Sequence, residues 1–502
     1  MNQNGTAPSH HLYQWVGLGL GPALCLAMML IPAPAGLTEM AWKTAAVATL
    51  MAIWWATEAV PVAITAILPL IVFPLLGVAN IKESATPYAN PIIFLFMGGF
   101  VLALAIQRWN LHRRIALNII LFVGTNPQAI VVGFMIATAS LSMWISNTAT
   151  TMMMLPVALS VIGVLTDNPD LDPEHGDPGV LPVLDHNSRN FATALLLAIA
   201  YSANVGGMGT LIGTGPNALV AAFLKDHNGI DIGFVQWMAI GIPVIFLMLP
   251  AVWVTLTRLA YPFAVPETRK GASVIRDALR EMGPASSAEK RLTSLFALVA
   301  SLWILRPWLN VPGLSDAGIA MFGALMLFLV PAGSGGKGEF LLTWERTQRL
   351  PWGVLILIGG GLSLASAVTD TGLAQWAGGK IIALELTDML MLIAAIMTLI
   401  VFLTELTSNT ATTAALLPVV ASIAAVGGVD AIYLAAPAAL AASCAFMLPV
   451  ATPPNAIVFS TGLVSIPQMV RAGIIVNLFS IVLLSGFAYL LLPHILTVVG
   501  GG

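Results

Sequence analysis

The sequence predicts an all-α polytopic membrane protein, eleven transmembrane helices plus two re-entrant hairpins in inverted repeats, and three observations carry that prediction. Of the 502 residues, 58% are hydrophobic and only 9% charged, whereas about a quarter of an ordinary soluble domain is charged. Apolar stretches recur along the whole length, many of them near the ~20 residues that an α-helix needs to cross a bilayer. The hexapeptide S-N-T-A-T-T occurs twice, as Ser146 to Thr151 and as Ser408 to Thr413, each time inside an apolar segment too long for one crossing. No separate soluble domain can be cut out, and the longest polar segments, 166–190 and 258–292, read as loops or interfacial pieces.

In chain order the first apolar spans are 15–33, 41–58, 62–77 and 91–107. The first of them reads as a retained helix, because the first fourteen residues contain no Lys or Arg and so make no secretory leader. A broken segment 128–165 follows, then 191–225 and 234–257, and then 293–310, 315–332 and 353–369. A second broken segment covers 388–426, and the chain closes with a broken helix 431–464 and a span 473–493. This divides the chain into N-terminal helices (1–90), a first repeat (91–257), a cytoplasmic loop (258–292), helices opening the second half (293–352) and a second repeat core (353–493).

The duplication is explicit. Shifted by 262 residues, Gly98 and Gly99 fall on Gly360 and Gly361, Leu111 on Leu373, Ser146 on Ser408 and Pro156 on Pro418, in one gapless register. Beyond it the register slips by the length of the 166–190 loop, and Gly213 to Ala218 (G-T-G-P-N-A) meets Ala451 to Ala456 (A-T-P-P-N-A). Duplications this long inside an apolar chain are typical of transporters. With each broken segment re-entering on its own side, five crossings separate the two hexapeptides, an odd number, so the repeats are inverted.

Charge sets the orientation. With the N-terminus inside and the C-terminus outside, every Lys and Arg except Lys43, Lys82, Lys225, Arg306 and Lys380 falls on the cytoplasmic side, as the positive-inside rule asks. The net charge of −3 gives no argument for a nucleic-acid partner. Cys25 and Cys444 lie in apolar runs and read as core thiols. The seven histidines sit at helix ends or in loops, so neither a transition-metal site nor a membrane-embedded enzyme has the residues it needs.

Ser, Asn and Thr favour helix N-caps, where their side chains accept from free backbone N–H groups. Ser146-Asn147-Thr148 and Ser408-Asn409-Thr410 are therefore expected as hairpin tips, each ending one half-helix and capping the next. Gly213-Thr214-Gly215-Pro216-Asn217 and Ala451-Thr452-Pro453-Pro454-Asn455 should break a further helix in each repeat. Such irregular backbone at membrane depth is tolerated only when buried in protein or lining a wet cavity. Half-helices that start near the midplane present positive dipole ends to an anion, and those that end there leave carbonyls for a small cation. No Lys or Arg falls in the predicted core, so a bound anion would be neutralised by dipoles, hydroxyls, amides and co-bound cations. Glu405, three residues before the second tip and opposite Met143 in the repeat, is expected either as a structural partner to nearby backbone or as a cation partner. Glu58, Asp316 and Asp370 lie at predicted helix ends and read as interfacial. Gly17 and Gly21 form a small-xxx-small pair, read as incidental rather than as a dimer seam. The stretch G-G-M-G-T-L-I-G-T-G lacks a preceding strand and is no nucleotide loop.

The twin S-N-T signature with its paired Pro-Asn breaks resembles the divalent anion:sodium symporter family over essentially the whole chain. The resemblance implies a homodimer in which each protomer has a scaffold part, here the N-terminal helices and 293–352, and a transport part that moves across the membrane as an elevator. It implies substrate contacts at Ser146, Asn147, Thr148, Ser408, Asn409 and Thr410, helped by Thr214, Thr452 and Pro453. One sodium site would use Ser142, Asn147 and backbone near Gly213, and its inverted twin Thr404, Asn409 and backbone near Ala451. Stretches 108–125 and 370–382 would match the family's bracing interfacial helices, while Gly215 stands where many members have Pro. The expected function is uptake of a C4-dicarboxylate such as succinate, malate or fumarate across a bacterial cytoplasmic membrane with Na+ as coupling ion. A sodium-independent exchanger of dicarboxylate, citrate or tartrate, and a sulfate symporter, are the alternatives on the same fold.

Overall fold

A computed structural model describes residues 12–124, 126–166, 168, 184–264, 270–309, 311–333, 338–382 and 388–499. Among these residues no strand forms, and the single bridge joins Pro331 to Phe340. Every expected span has a helix: Leu12–Leu30, Glu39–Thr57, Val62–Thr65 with Leu68–Leu76, Pro91–Arg108, His186–Gly207 broken before Gly215–Asn228, Phe234–Val254, Ser287–Leu309, Asp316–Leu329, Trp352–Asp370, Ile432–Ala442 broken before Pro453–Phe459, and Ile466–Gly486. Among the described residues eight helical stretches are long and apolar enough to cross a membrane by themselves; of the shorter apolar ones, Pro127–Ser142, Met389–Thr404 and Ile432–Ala442 lie at the predicted hairpins and breaks, and Val62–Leu76 and Asp316–Leu329 lie in predicted spans.

Both hairpins form. Pro127–Ser142 and Asn147–Leu165 make the first, Met389–Thr404 and Asn409–Val426 the second, and the turns 143–146 and 405–408 fall at the same repeat positions. Their entries are set locally: Asn126 accepts from Ala129 N with Pro127 at the first turn, and Asp388 accepts from Leu390 N and Met391 N. Thr151 and Thr413 are matched too, each donating its hydroxyl to the carbonyl four residues back, Asn147 or Asn409, at 2.9 Å.

The packing shows how the two repeats interlock. Helix Pro91–Arg108 lies against Asp316–Leu329, and Trp352–Asp370 lies against the 62–76 segment. In each contact a repeat-matched glycine admits neighbouring backbone: a Cβ on Gly98 would sit 2.6 Å from the carbonyl carbon of Ala320, and one on Gly360 2.1 Å from Ala66 O. Each half's glycine helix thus embraces the helix that precedes the other's. Helix His186–Gly207 is buried on all faces from Asn190 onward and packs against both arms of the first hairpin, as Ile432–Ala442 packs against both arms of the second.

Three sequence expectations change. The 258–292 segment, expected as a loop or interfacial piece, contains a helix, Lys270–Glu281, packed against both Leu111–Val123 and Asn147–Leu165, and its last residues begin Ser287–Leu309. Asp316 is not an interfacial end group. It is buried, and its Oδ2 accepts from Phe234 N at 2.9 Å and Arg306 Nη1 at 2.7 Å, tying three helices at one end of the bundle. Gly17 and Gly21 are not incidental: a Cβ at Gly17 would strike Thr57, and one at Gly21 Leu50 and Trp54, so the pair seats the second helix on the first within this chain. Cys25 and Cys444 are buried free thiols, while Glu58 and Asp370 are exposed. Leu111–Val123 and Leu373–Ile382 occupy the expected interfacial stretches, and the Arg114–Glu289 ion pair (2.6 Å) fixes the first to the start of Ser287–Leu309.

Candidate functional site

Four helix N-termini meet in the interior, because each break seats against the other repeat's hairpin. Gly215–Asn228 packs on Asn409–Val426, and Pro453–Phe459 packs on Asn147–Leu165. The close contacts run crosswise as well: a Cβ on Gly215 would lie 2.3 Å from Thr410 Oγ1, and Asn204, on the central helix, donates its amide to Thr452 Oγ1 at 3.0 Å. The first N–H groups of each half-helix have no intrahelical partner and carry the positive ends of the dipoles. Ser146, Asn147, Thr148, Ser408 and Asn409 are half-buried at the tips, and Thr410 is buried. Thr214 and Thr452 are buried at the breaks, with Pro453 exposed.

The hydroxyls differ in what they can offer. Ser146 caps its half-helix by accepting from Ala149 N at 3.3 Å, but Ser408 makes no cap bond, contrary to the expectation that both serines cap. Thr407 and Thr412 bond to each other across the second turn, and Ser408 is left with its hydroxyl uncommitted to the helix. Thr452 Oγ1 accepts from Asn204 Nδ2 and from Asn455 N at 3.5 Å. Both bonds point into the oxygen, so its own proton remains for an outside acceptor. Thr214 Oγ1 is buried and has no partner among the described residues.

Beside each tip lies a cluster of oxygens. Ser142 Oγ is 2.5 Å from Asn147 Oδ1 and 2.7 Å from Ala203 O, and in the twin Thr404 Oγ1 is 2.7 Å from Asn409 Oδ1 and 2.8 Å from Ala442 O. A hydroxyl has one proton and can donate to only one of its two neighbours. Three oxygens therefore converge with a single proton among them, twice, at sites shielded enough that unpaired oxygen is costly. Hard cations are held by such carbonyl, amide and hydroxyl oxygens.

Of the two backbone groups expected at these clusters, Gly213 lies beside Gly207, which borders the first: a Cβ on Gly213 would strike Gly207 O at 2.2 Å, and a Cβ on Gly207 would lie 2.6 Å from Asn147 Oδ1. Ala451 is buried in the second break, its N–H donating to Leu448 O at 3.2 Å, but the carbonyl meeting Thr404 is that of Ala442. The carbonyls of Ala203 and Ala442 and the side chain of Asn204 are the site groups that sequence reasoning missed. Asn204 carried a signal, a lone amide in an apolar run; the alanine carbonyls carried none.

The breaks are held open by two matched amides. Asn217 donates to Gly207 O (3.0 Å) and Thr210 O (2.7 Å), and Asn455 to Ala445 O (3.1 Å) and Leu448 O (3.0 Å), so the unwound carbonyls stay bonded inside the protein. Glu405 is a structural partner to backbone: its carboxylate accepts from Phe446 N (2.7 Å), Met447 N (2.9 Å) and Leu448 N (3.1 Å), and from Asn477 Nδ2 (2.7 Å).

Known proteins share this architecture. A family model described as the sodium:sulfate symporter transmembrane region matches residues 12–496. A sodium-dependent dicarboxylate transporter, SdcS, of Staphylococcus saprophyticus is 41% identical over 493 residues, covering 97% of this chain and 93% of that protein. SdcS of Staphylococcus aureus is 39% identical over 491 residues, 96% of this chain and 92% of that one. Among solved structures, the MtrF protein of Neisseria gonorrhoeae, from a class of antimetabolite efflux pumps, aligns with a TM-score of 0.58 at 12% identity, covering 95% of this chain and 97% of that chain. The Alcanivorax borkumensis YdaH transporter aligns with a TM-score of 0.54 at 14% identity, covering 95% and 96%. At those identities the two structures speak for the fold alone.

Proposed function

Because the chain belongs to the divalent anion:sodium symporter family, we propose that it is a secondary active transporter that brings a C4-dicarboxylate such as succinate, malate or fumarate into a bacterial cell, coupled to sodium. The observation that carries this reading is the pair of repeat-related oxygen clusters flanking the convergent helix N-termini. In it the substrate carboxylates take the N–H groups and hydroxyls of Ser146, Asn147, Thr148, Ser408, Asn409 and Thr410, with Thr214 and Thr452 donating and Pro453 shaping the wall. One sodium ion takes Ser142, Asn147, Ala203 O and backbone near Gly213, and the other Thr404, Asn409, Ala442 O and backbone near Ala451. Each asparagine, at the first position of a half-helix and in an oxygen cluster, couples anion to cation. The relatives named as sodium-dependent dicarboxylate transporters support the substrate class and the ion.

The transport step follows as an elevator. Hairpins, broken helices and the 234–260 and 466–491 helices move as one body against a scaffold of the N-terminal helices and the 287–329 and 352–370 helices, in a homodimer with its N-termini in the cytoplasm. Residues Pro216 to Leu224 of the outer half-helix are buried, whereas Pro453, Ala456 and Ser460 of its counterpart are exposed. With the proposed orientation, that difference in exposure supports reading this as a cytoplasm-facing state.

Labelled succinate uptake into proteoliposomes, with and without an inward sodium gradient and with and without internal succinate, tests the reading. Uptake that needs the gradient and no internal substrate supports a symporter; uptake that ignores sodium and needs internal dicarboxylate overturns it in favour of exchange. A sharper expectation concerns Gly207→Ala. The new methyl would meet Thr214 Cγ2 at 2.5 Å and Asn147 Oδ1 at 2.6 Å, forcing the asparagine out of its cluster. Sodium-driven uptake is expected to fall by about tenfold or more, the effect of one lost polar contact to a charge, and an initial-rate assay over a sodium series checks it.

A further inference from the structure

Glu405 has no counterpart in the first repeat. The position 262 residues earlier is Met143, and the two side chains lie against matching turns: Glu405 reaches the N–H of Met447, while a Cβ on Gly209, its repeat equivalent, would sit 2.9 Å from Met143 Cε. Both turns are gripped on their carbonyls by the same asparagine, Asn217 in one and Asn455 in the other. Only the second turn is also gripped on its N–H groups, and only there does a charge enter the interior. The four groups bonded to Glu405 all donate, which suits a carboxylate and leaves no acceptor for an acid proton. Glu405 is 3% exposed, and among the described residues no basic side chain pairs with it.

That charge stands one residue from Thr404, a member of the second oxygen cluster, and at the carbonyl end of helix Met389–Thr404, whose dipole adds negative potential of its own. The first cluster has the same three oxygens and, in place of the carboxylate, a thioether. Resting on the sodium-coupled reading above, we propose that Glu405 makes the two cation sites unequal, so that the Thr404–Asn409 site binds sodium more tightly and fills before the Ser142–Asn147 site. At an effective dielectric near 20 a unit charge within about 10 Å of a cation changes its binding constant by more than about tenfold, roughly thirtyfold at mid-range. The inverted repeats supply two matched cages, and this one substitution orders them.

Sodium titration of the purified protein without substrate, followed by calorimetry and by the shift of the thermal unfolding midpoint, with choline as control, tests the order. The wild type should show two phases. Thr404→Val should remove the tight one and Ser142→Ala the weak one, an arm that holds even where a Glu405 variant fails to fold. Glu405→Gln should weaken the tight phase by roughly thirtyfold and spare the other, while Asn477→Leu, which removes a donor and keeps the charge, should retain the tight phase. Loss of the tight phase in Ser142→Ala, an unchanged titration in Glu405→Gln, or an equal weakening of both phases overturns the inference and leaves the function standing. A wild type that binds no sodium overturns both.

Discussion

Asn147→Ala and Asn409→Ala are each expected to abolish sodium-driven succinate uptake while leaving a monodisperse, folded protein. Each asparagine begins a half-helix and places its Oδ1 within 2.5 to 2.7 Å of the neighbouring hydroxyl. On the proposed function, truncation to alanine thus removes one oxygen from a cation cage and an amide from the surface facing the anion. A hydrogen bond to a charged group is worth about 1.5–3 kcal/mol, and the loss here falls on both bound species at once. Because the ions and the anion stabilise each other's binding, the rate of uptake should drop by about a hundredfold or more. The folded state is spared, since alanine continues each helix from its first turn and Ser146 and Ser408 keep their place at the cap. Initial rates in proteoliposomes, paired with gel filtration of the same preparations, check both halves. Uptake within about threefold of wild type in either variant would remove that asparagine from the site.

The two variants should also differ. If Glu405 tightens the second cage, Asn409→Ala destroys the high-affinity sodium phase and Asn147→Ala the low-affinity one, although uptake is lost in both. Sodium binding without substrate therefore reads what the transport assay cannot separate.

Much of this was legible in the sequence because membrane proteins express their constraints locally. Apolar runs of a set length find the helices, and a polar hexapeptide inside such a run must be a place where backbone turns back. The Asn-Thr tips and Pro-Asn breaks lie where their residue types demand. The first oxygen cluster was legible as far as Ser142 and Asn147, with Gly213 at the break beside it, since all three sit at or near the tip and the break. Ala203 O and Ala442 O were not, because any residue supplies a carbonyl, and which one faces the hydroxyl is decided by how the central helix and its twin lie against the hairpins. Asp316 was misread for a related reason: its place at a helix end is written in the chain, but its partners Arg306 and Phe234 N arrive from other helices. Helix Lys270–Glu281 was hidden in a polar segment because its apolar residues form only a narrow stripe, and the surface that stripe covers belongs to the first hairpin and its interfacial helix.

Gly98→Val and Gly360→Val should each cause a severe loss of folded protein. The glycines are repeat partners, and each lies where another helical segment's backbone comes too close for a side chain: 2.6 Å from the carbonyl carbon of Ala320 for a Cβ on Gly98, 2.1 Å from Ala66 O for one on Gly360. Backbone atoms have no rotamer by which to withdraw, so the helix pair must separate. Within a membrane the association of helices rests on close van der Waals approach rather than on expulsion of water, and separation forfeits that attraction along the whole seam. Overpacking of a tight site costs about 1–3 kcal/mol where side chains can yield, and here the cost should exceed about 3 kcal/mol. Gly19→Ala is the control, since a Cβ there has nothing within 4 Å. The thermal midpoint and yield of detergent-extracted protein should be unchanged by Gly19→Ala and severely reduced by either valine. A wild-type midpoint for Gly360→Val would mean that the seam joining the two repeats is looser than this packing describes, and the scaffold assigned to it could not serve as the fixed part against which the hairpins move.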